Sequence, residues 1–477
     1  MGRRSAERSG PAWQRSSLLV FLAVACGSTV DTVGYNASGV SGGAGGAGAE
    51  AGAGIPSEAG AGGDAGAAGA FAAGGVTPEG GVGGVPTGGT AGTGGVLGTG
   101  GLRPLTGPDT YPNVFKDVLG KTDLEIANKI SKTYEQLFHG DPVSEAVYYE
   151  LDDDTAYILD TLHDDVRTEG IGHGMIITVE LDKREEFDKL WRYADSKLKV
   201  TTGPNAGYFR SRCQGLTAVE DCLDPYGLQQ MLMALVFAHG RWRSDTGAVN
   251  YELEALELFH LMRNKEEMNG GIVDGVTDTF DAETKLVFDL PHASAASYTR
   301  PSVEMPAFYD LWAQATGDSF YADAAAAARS YWKRAENPET GLLPSRAYFD
   351  GKPVAGWDTF EPAGYRASYG IALDRIWFKT DVWHVEHSDR MIAFFDDIGI
   401  NVYGRVYSLD GMLLQGDREP SLVAANGPVA MLATHPASAD FIEAVWNLPI
   451  PIYDPRYYNG TMQLLALITM AGQYRVY

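Results

Sequence analysis

An all-α domain is what the sequence predicts, on three observations. Leu228–Trp242 (LQQMLMALVFAHGRW) is apolar on nearly every side, as a helix enclosed by other helices must be. Helix-length segments follow one another in pairs joined by short turns. Strand-like alternation is confined to short pieces such as Leu286-Val287-Phe288. Pairs with one member apolar all round and its neighbour amphipathic suit a toroid with an inner and an outer helical ring.

The elements follow in order. A helix pattern, Met175–Val179, comes directly after three closely spaced glycines, Gly170, Gly172 and Gly174. Leu228–Trp242 is the buried helix. Pro306–Ala315 and Phe320–Ala335 form an antiparallel pair across the turn Thr316-Gly317-Asp318. Tyr365–Phe378 and Trp383–Ile398 form another pair, and Met462–Gly472 is a last inward helix.

Composition narrows the function. The 477 residues carry 62 Asp+Glu against 37 Lys+Arg, a net charge of −25. That sign repels phosphate backbones and anionic lipid, which excludes nucleic-acid binding driven by counterion release. A hydrophobic content of 44% excludes a wholly disordered chain. Thirty of the 59 glycines lie between Gly27 and Pro108, a Gly/Ala-rich stretch with too little side chain to bury. Residues 27–108 are therefore a flexible linker, and 109–477 a single domain. Residues 1–26 carry Arg3, Arg4, Arg8 and Arg15, then Leu18–Ala25, then Cys26. A basic segment before a short apolar core is an export signal, too short to span a bilayer and stay. Ala23-Val24-Ala25-Cys26 resembles a bacterial lipobox, which implies a lipid on Cys26 and an outer-membrane or cell-surface location; ordinary cleavage, with a secreted or periplasmic product, is the alternative. The membrane would be touched only through that lipid. No exposed apolar repeat argues for an assembly, so a monomer is expected. Cys213 and Cys222, close in sequence in an exported chain, are expected to form a structural disulfide.

The densest candidate site is Asp164-Asp165-Val166-Arg167-Thr168-Glu169-Gly170-Ile171-Gly172-His173-Gly174-Met175. Ionisable groups precede glycines that admit a close backbone or ligand approach. A carboxyl at a helix entrance beside apolar neighbours is expected to have a raised pKa, as a general acid requires. The competing reading is a capped helix with surface ion pairs.

Asp165-Val166-Arg167-Thr168-Glu169-Gly170, followed by Gly174-Met175, resembles the acid-bearing stretch of glycoside hydrolase family 8, especially its xylo-oligosaccharide branch. Leu181–Trp191, Met305–Ala313, Pro338–Gly341 and Tyr457–Gly460 through Tyr474–Tyr477 are similar to it as well. The resemblance covers about Tyr111 to Tyr477. It implies an (α/α)6 barrel, a β-1,4-linked oligosaccharide or polysaccharide substrate, inverting hydrolysis without metal or organic cofactor, and Glu169 as general acid. Xylo-oligosaccharides are the first expectation, and Asp165, Arg167, His173, Arg300, Arg366 and Tyr458 would contact or position the substrate.

The departures concern the second carboxylate, which in an inverting site activates water across the sugar ring. The family's base position is Arg300 here, in Tyr298-Thr299-Arg300-Pro301-Ser302-Val303-Glu304. A guanidinium stays protonated and cannot accept a proton. The family's acids are also absent from Tyr226-Gly227-Leu228-Gln229 and from Pro362-Ala363-Gly364-Tyr365-Arg366, and His173 stands where the family has Tyr. Glu304, four residues after Arg300, is the nearest replacement base, with Asp289 and Asp281 as alternatives; an Arg300–Glu304 ion pair would make it structural. A chain with no base at all would be a surface sugar-binding lipoprotein that keeps the family cleft. His384 and His387, at i and i+3, lack a third ligand and read as a solvated helix face, so no metal site is expected. Trp191, Tyr208, Trp242, Trp312, Trp357 and Trp377 are candidate sugar-stacking rings or core.

Overall fold

The computed structural model describes residues 101–214, 217–218, 223–244, 247–379 and 381–477. The leader with Cys26, nearly all of the Gly/Ala-rich segment, and Cys222 lie outside those residues. Among the described residues no helix is long and apolar enough to cross a membrane.

The helices are α1 (Val114–Asp117), α2 (Asp123–His139), α3 (Thr168–Glu180), α4 (Arg184–Tyr193), α5 (Pro225–Trp242), α6 (Tyr251–Asn269), α7 (Pro306–Thr316), α8 (Ser319–Ala335), α9 (Pro362–Phe378), α10 (Trp383–Ile398), α11 (Pro420–Leu432), α12 (Ser438–Asn447) and α13 (Arg456–Met470). An inner ring of α3, α5, α7, α9, α11 and α13 closes on itself, α13 returning to α3, while α5 meets the 3₁₀ turn Pro301–Val303 that leads into α7. The outer ring sets α4 on α3, α6 on α5, α8 on α7, α10 on α9, α12 on α11 and α2 on α13. This is the (α/α)6 barrel expected from the sequence.

Local chemistry explains where the inner helices begin. α5, α7, α9 and α11 each open with Pro in the first turn, where its missing N–H is no loss. Asp224 caps α5, accepting from the backbone N–H of Tyr226 and Gly227 at 3.1 Å each. Every residue of α3 from Gly170 to Glu180, and of α5 from Pro225 to Ala238, is buried, which is why both read as apolar on all sides.

The glycines of α3 serve packing. A Cβ at Gly170 would lie 2.8 Å from the Tyr457 ring of α13, and one at Gly172 would lie 2.6 Å from Gln230 Cβ of α5. Reciprocally, a Cβ at Gly227 would lie 2.5 Å from the backbone carbon of Thr168. The entrances of α3, α5 and α13 are thereby drawn together, and protein rather than ligand fills the space that the glycines leave.

Among the described residues there are three small sheets. β1 (Tyr148–Glu150), β2 (Ala156–Asp160), β3 (Asp165–Arg167), β4 (Arg212–Gln214) and β5 (Thr217–Ala218) are antiparallel neighbours in that order, and β3 runs directly into α3. β6 (Tyr298–Thr299) pairs with β7 (Ala347–Tyr348), and β8 (Thr359–Phe360) with β9 (Val406–Ser408), which pairs in turn with β10 (Leu413–Gln415).

Some details differ from the sequence expectation. Leu286–Phe288 forms no strand, only an isolated bridge between Val287 and Phe280. The last helix begins six residues early, at Arg456, whose guanidinium donates to the Ala146 carbonyl at 2.8 Å. The packed domain also reaches back across the boundary drawn at 109. Leu102 N donates to Glu252 Oε1 at 2.7 Å, Arg103 N to the Ala315 carbonyl at 2.8 Å, and Thr106 N to Gln314 Oε1 at 2.9 Å.

Candidate active site

Residues near the N-terminal ends of α3, α5, α9 and α13 meet around Glu169. It stands in the first turn of α3, its side chain 18% exposed, neither in bulk water nor sealed off. Arg366 of α9, itself buried, donates through Nη1 to Glu169 Oε2. The same guanidinium lies 4.5 Å from the ring centroid of Tyr226 (α5) and 5.9 Å from that of Tyr458 (α13). Burial works to raise the Glu169 pKa, but Arg366, His173 and Arg167 together outweigh it and hold the carboxyl below the usual range. The expected raised pKa is therefore corrected: apolar neighbours alone would give it, and the sequence spacing did not reveal that a buried guanidinium faces the acid.

His173, one turn after Glu169, is fully buried between three helices. Its Nε2 lies 2.9 Å from Tyr226 Oη and its Nδ1 3.4 Å from Thr461 Oγ1. Burial drives its pKa down to about 4, so it is a neutral ring at ordinary pH. Tyr458 is half-buried beside Tyr365, with ring centroids 6.3 Å apart. Asp165 and Arg167 belong to an ion cluster on the sheet. Arg167 Nε lies 2.9 Å from Asp165 Oδ1 and 3.1 Å from Asp160 Oδ2. Asp165 is buried, so it holds Arg167 in place and has no open face for a ligand.

Arg300 is likewise locked. Its Nε lies 2.7 Å from Asp289 Oδ1, and its Nη2 donates to Asp224 Oδ1 at 3.3 Å and to the Asp289 carbonyl at 3.1 Å. Asp289 is buried and also meets Arg346 Nε at 3.3 Å. Asp224 Oδ2 receives the Thr168 hydroxyl at 3.2 Å, which joins this ladder to the residue before Glu169.

Glu304 is not brought to the site. It is 1% exposed, and its Oε1 accepts from Val287 N at 2.9 Å and from Thr299 Oγ1 at 3.2 Å. Burial pushes its pKa up to about 8. The carboxyl anchors the wall behind the site and has no exposed face from which to activate water; nor does it pair with Arg300. Asp281 is occupied by Thr284, through its backbone N–H and its hydroxyl.

Asp224 is the carboxylate that sequence reasoning missed. It keeps 11% side-chain exposure at the entrance of α5. The signal was present in Asp224-Pro225, a cap residue followed by Pro at the first helical position.

His384 and His387 do not form a solvated helix face; both are fully buried. His384 Nε2 lies 2.8 Å from Asp374 Oδ2, and His387 Nδ1 lies 2.8 Å from Glu336 Oε1. These carboxylates also pair with Arg329 and Arg390, respectively. Among the described residues no cluster of His, Cys, Asp and Glu could hold a metal ion. Cys213 is a buried free thiol, its Sγ 3.7 Å from the Lys197 carbonyl. Cys222, the partner expected for it in a disulfide, lies outside the described residues.

The model of the family described as glycosyl hydrolases family 8 matches residues 158–472. The chain is 33% identical over 382 residues to the reducing-end xylose-releasing exo-oligoxylanase of Paenibacillus barcinonensis, covering 77% of this chain and 97% of that protein. It is 33% identical to a second reducing end xylose-releasing exo-oligoxylanase, from Halalkalibacterium halodurans, covering 77% of this chain and 94% of that protein. Among solved structures, that of the Paenibacillus barcinonensis protein complexed with xylose matches with a TM-score of 0.72 at 32% identity, covering 77% of this chain and 98% of that one. This chain therefore belongs to glycosyl hydrolases family 8, the family that the Glu169 motif resembles.

Proposed function

We propose that this glycoside hydrolase acts on β-1,4-linked xylo-oligosaccharides by inverting hydrolysis, with Glu169 as the proton donor. The observation that carries the reading is Glu169 itself, a partly exposed carboxyl among the converging helix entrances. The activity for which the two relatives are named supports the choice of sugar. In the step envisaged, the Glu169 carboxyl gives its proton to the glycosidic oxygen as the C1–O bond breaks. Water attacks C1 from the opposite face and loses its proton to a carboxylate. Asp224 is assigned that second role, since among the carboxylates of the Arg300 ladder it keeps an exposed edge while Asp289 is buried. Its four donors (two backbone N–H groups, the Thr168 hydroxyl and Arg300) hold the carboxylate in place at the entrance of α5. Arg167, His173, Arg300, Arg366 and Tyr458 position the acids or the sugar.

A second reading is favoured by one observation: Arg300, which the motif resemblance sets at the family's base position, is tied to two carboxylates. On that reading the barrel binds the sugar without cleaving it. Incubating a panel of xylo- and cello-oligosaccharides with wild type, Glu169→Gln and Asp224→Asn decides between them. Cleavage by wild type that is lost in both variants supports the hydrolase, and binding without cleavage by wild type establishes the binding protein.

The export reading also belongs here. Residues 1–26 would direct secretion, Cys26 would carry the lipid, and the linker 27–108 would tether a monomeric domain at the cell surface. Metabolic labelling with a radiolabelled fatty acid, comparing wild type with Cys26→Ala, tests it.

A further inference from the structure

Of the six aromatic residues that the sequence offers as sugar platforms, Trp191, Tyr208, Trp312 and Trp377 are buried. Trp242 sits at the C-terminal end of α5, against Phe187 and Tyr251, with its indole N–H on Asp182 at 2.7 Å. Trp357, like Trp242, is partly exposed, and it lies between β7 and β8 in the segment that leads to α9 and Arg366. Its carbonyl accepts from Arg346 N at 3.2 Å, and its N–H donates to the Val354 carbonyl at 2.8 Å, which fixes the loop.

The Arg346 guanidinium lies 3.8 Å from the centroid of the Trp357 ring and so covers one of its faces. Arg346 is 6% exposed and is anchored by Asp289. From there the ladder already described continues through Arg300 and Asp224 to Thr168, the neighbour of Glu169. Trp357 is thus the outer end of a continuous polar series that starts beside the acid. A buried ion pair immobilises the cation, the cation–π contact immobilises the indole, and a flat ring held in this way needs little further ordering to receive a ligand.

We propose that Trp357 is a stacking platform for a pyranose ring of a β-1,4-linked oligosaccharide, in a subsite remote from Glu169, with Arg346 as the positioning residue behind it. This rests on the reading of the chain as one that takes such oligosaccharides. The exposed part of the indole receives the C–H face of the sugar, an apolar surface matched to an apolar ring. Because the subsite is remote, it contributes only to ligands long enough to reach it.

The test is calorimetric binding of xylobiose and xylohexaose to the full chain at a pH where hydrolysis is negligible, or in the Glu169→Gln background. Trp357→Ala should weaken xylohexaose roughly tenfold and leave xylobiose unchanged, with Trp357→Phe retaining most of the affinity. Arg346→Lys, which keeps the charge for Asp289 but loses the flat stack, should lose part of the xylohexaose affinity. Equal loss for both sugars, or no loss, overturns the platform while leaving the proposed function intact. Wild type that binds cello- but not xylo-oligosaccharides moves the substrate class, and the same comparison is then read with cellobiose and cellohexaose. Wild type that binds no β-1,4-oligosaccharide overturns the proposed function and the platform together.

Discussion

Arg366 and Glu169, 197 residues apart, form an ion pair at the mouth of the inner ring, and the guanidinium is nearly buried while the carboxyl keeps a solvent edge. The carboxyl proposed as the proton donor is therefore held in its ionised form. Removing the charge in Arg366→Gln takes away the largest opposition to burial, so the Glu169 pKa rises. A general acid is active while protonated, and activity falls as pH rises through its pKa. The alkaline limb of kcat/KM against pH should move upward in Arg366→Gln, and a carboxyl NMR titration should report the same displacement. An unmoved limb would show that Glu169 is not the titrating donor.

Arg300 offers a sharper experiment. The motif resemblance sets it at the family's base position, and Asp289 Oδ1 lies 2.7 Å from its Nε. The double substitution Arg300→Asp with Asp289→Asn puts a carboxylate at the base position, with Arg346 as its neighbour. A competent general base is worth about 10²–10⁴ in rate. Hydrolysis of xylo-oligosaccharides should rise at least roughly tenfold above wild type, measured by chromatography of the products. The single substitution Arg300→Met should instead destabilise the fold by about 3–5 kcal/mol, because it leaves Asp289 buried with one partner fewer.

The packing of α3 against α5 sets a contrast between two glycines. A Cβ at Gly227 would lie 2.5 Å from the Thr168 backbone, where nothing can rotate away. Gly227→Ala should cost at least 1–3 kcal/mol and lower activity as well, since Thr168 adjoins Glu169. Gly370, inside α9, has nothing closer than 3.8 Å to the Cβ position. Gly370→Ala should stabilise by about 0.5–1 kcal/mol through helix propensity alone. Denaturant melts of both variants check the pair.

The barrel was legible in the sequence because its inner helices are enclosed, and enclosure writes itself as apolar residues on every side, as in Leu228–Trp242. The Thr316-Gly317-Asp318 turn was legible for a local reason: Gly317 adopts a left-handed C-cap and Asp318 caps α8. What sequence could not give was pairing between distant charges. Arg300 finds its partners 11 and 76 residues away, so it looked like a lone cation facing Glu304. His384 and His387 looked solvated because their carboxylates, Asp374 and Glu336, come from α9 and from the end of α8. The five-stranded sheet was missed because its strands are two to five residues long, too short for alternation to register.

Glu304 makes a prediction about pH and stability. In the folded protein its pKa stands at about 8, against an ordinary value of 4.5, because burial penalises the charge and only Val287 N and Thr299 Oγ1 offset it. Its contribution to stability is thus fully present below about pH 4.5 and is lost as pH rises to about 8, where the folded protein must hold a buried anion. Across that window the loss amounts to roughly 3–5 kcal/mol. Gln at this position resembles the protonated acid: its oxygen keeps the bonds to Val287 N and Thr299, and its amide occupies the place of Oε2, which has no partner. His173, with its pKa driven down to about 4, acts in the opposite direction and destabilises as pH falls below about 6.5. Wild type should therefore lose stability between pH 6.5 and 8, where the His173 contribution is already complete. Glu304→Gln should show a shallower slope over the same interval in urea melts, the remainder belonging to Glu180, whose carboxyl is also pushed well above the usual range by burial, and should exceed wild type at pH 8. A variant that keeps the wild-type slope would remove Glu304 as the titrating group.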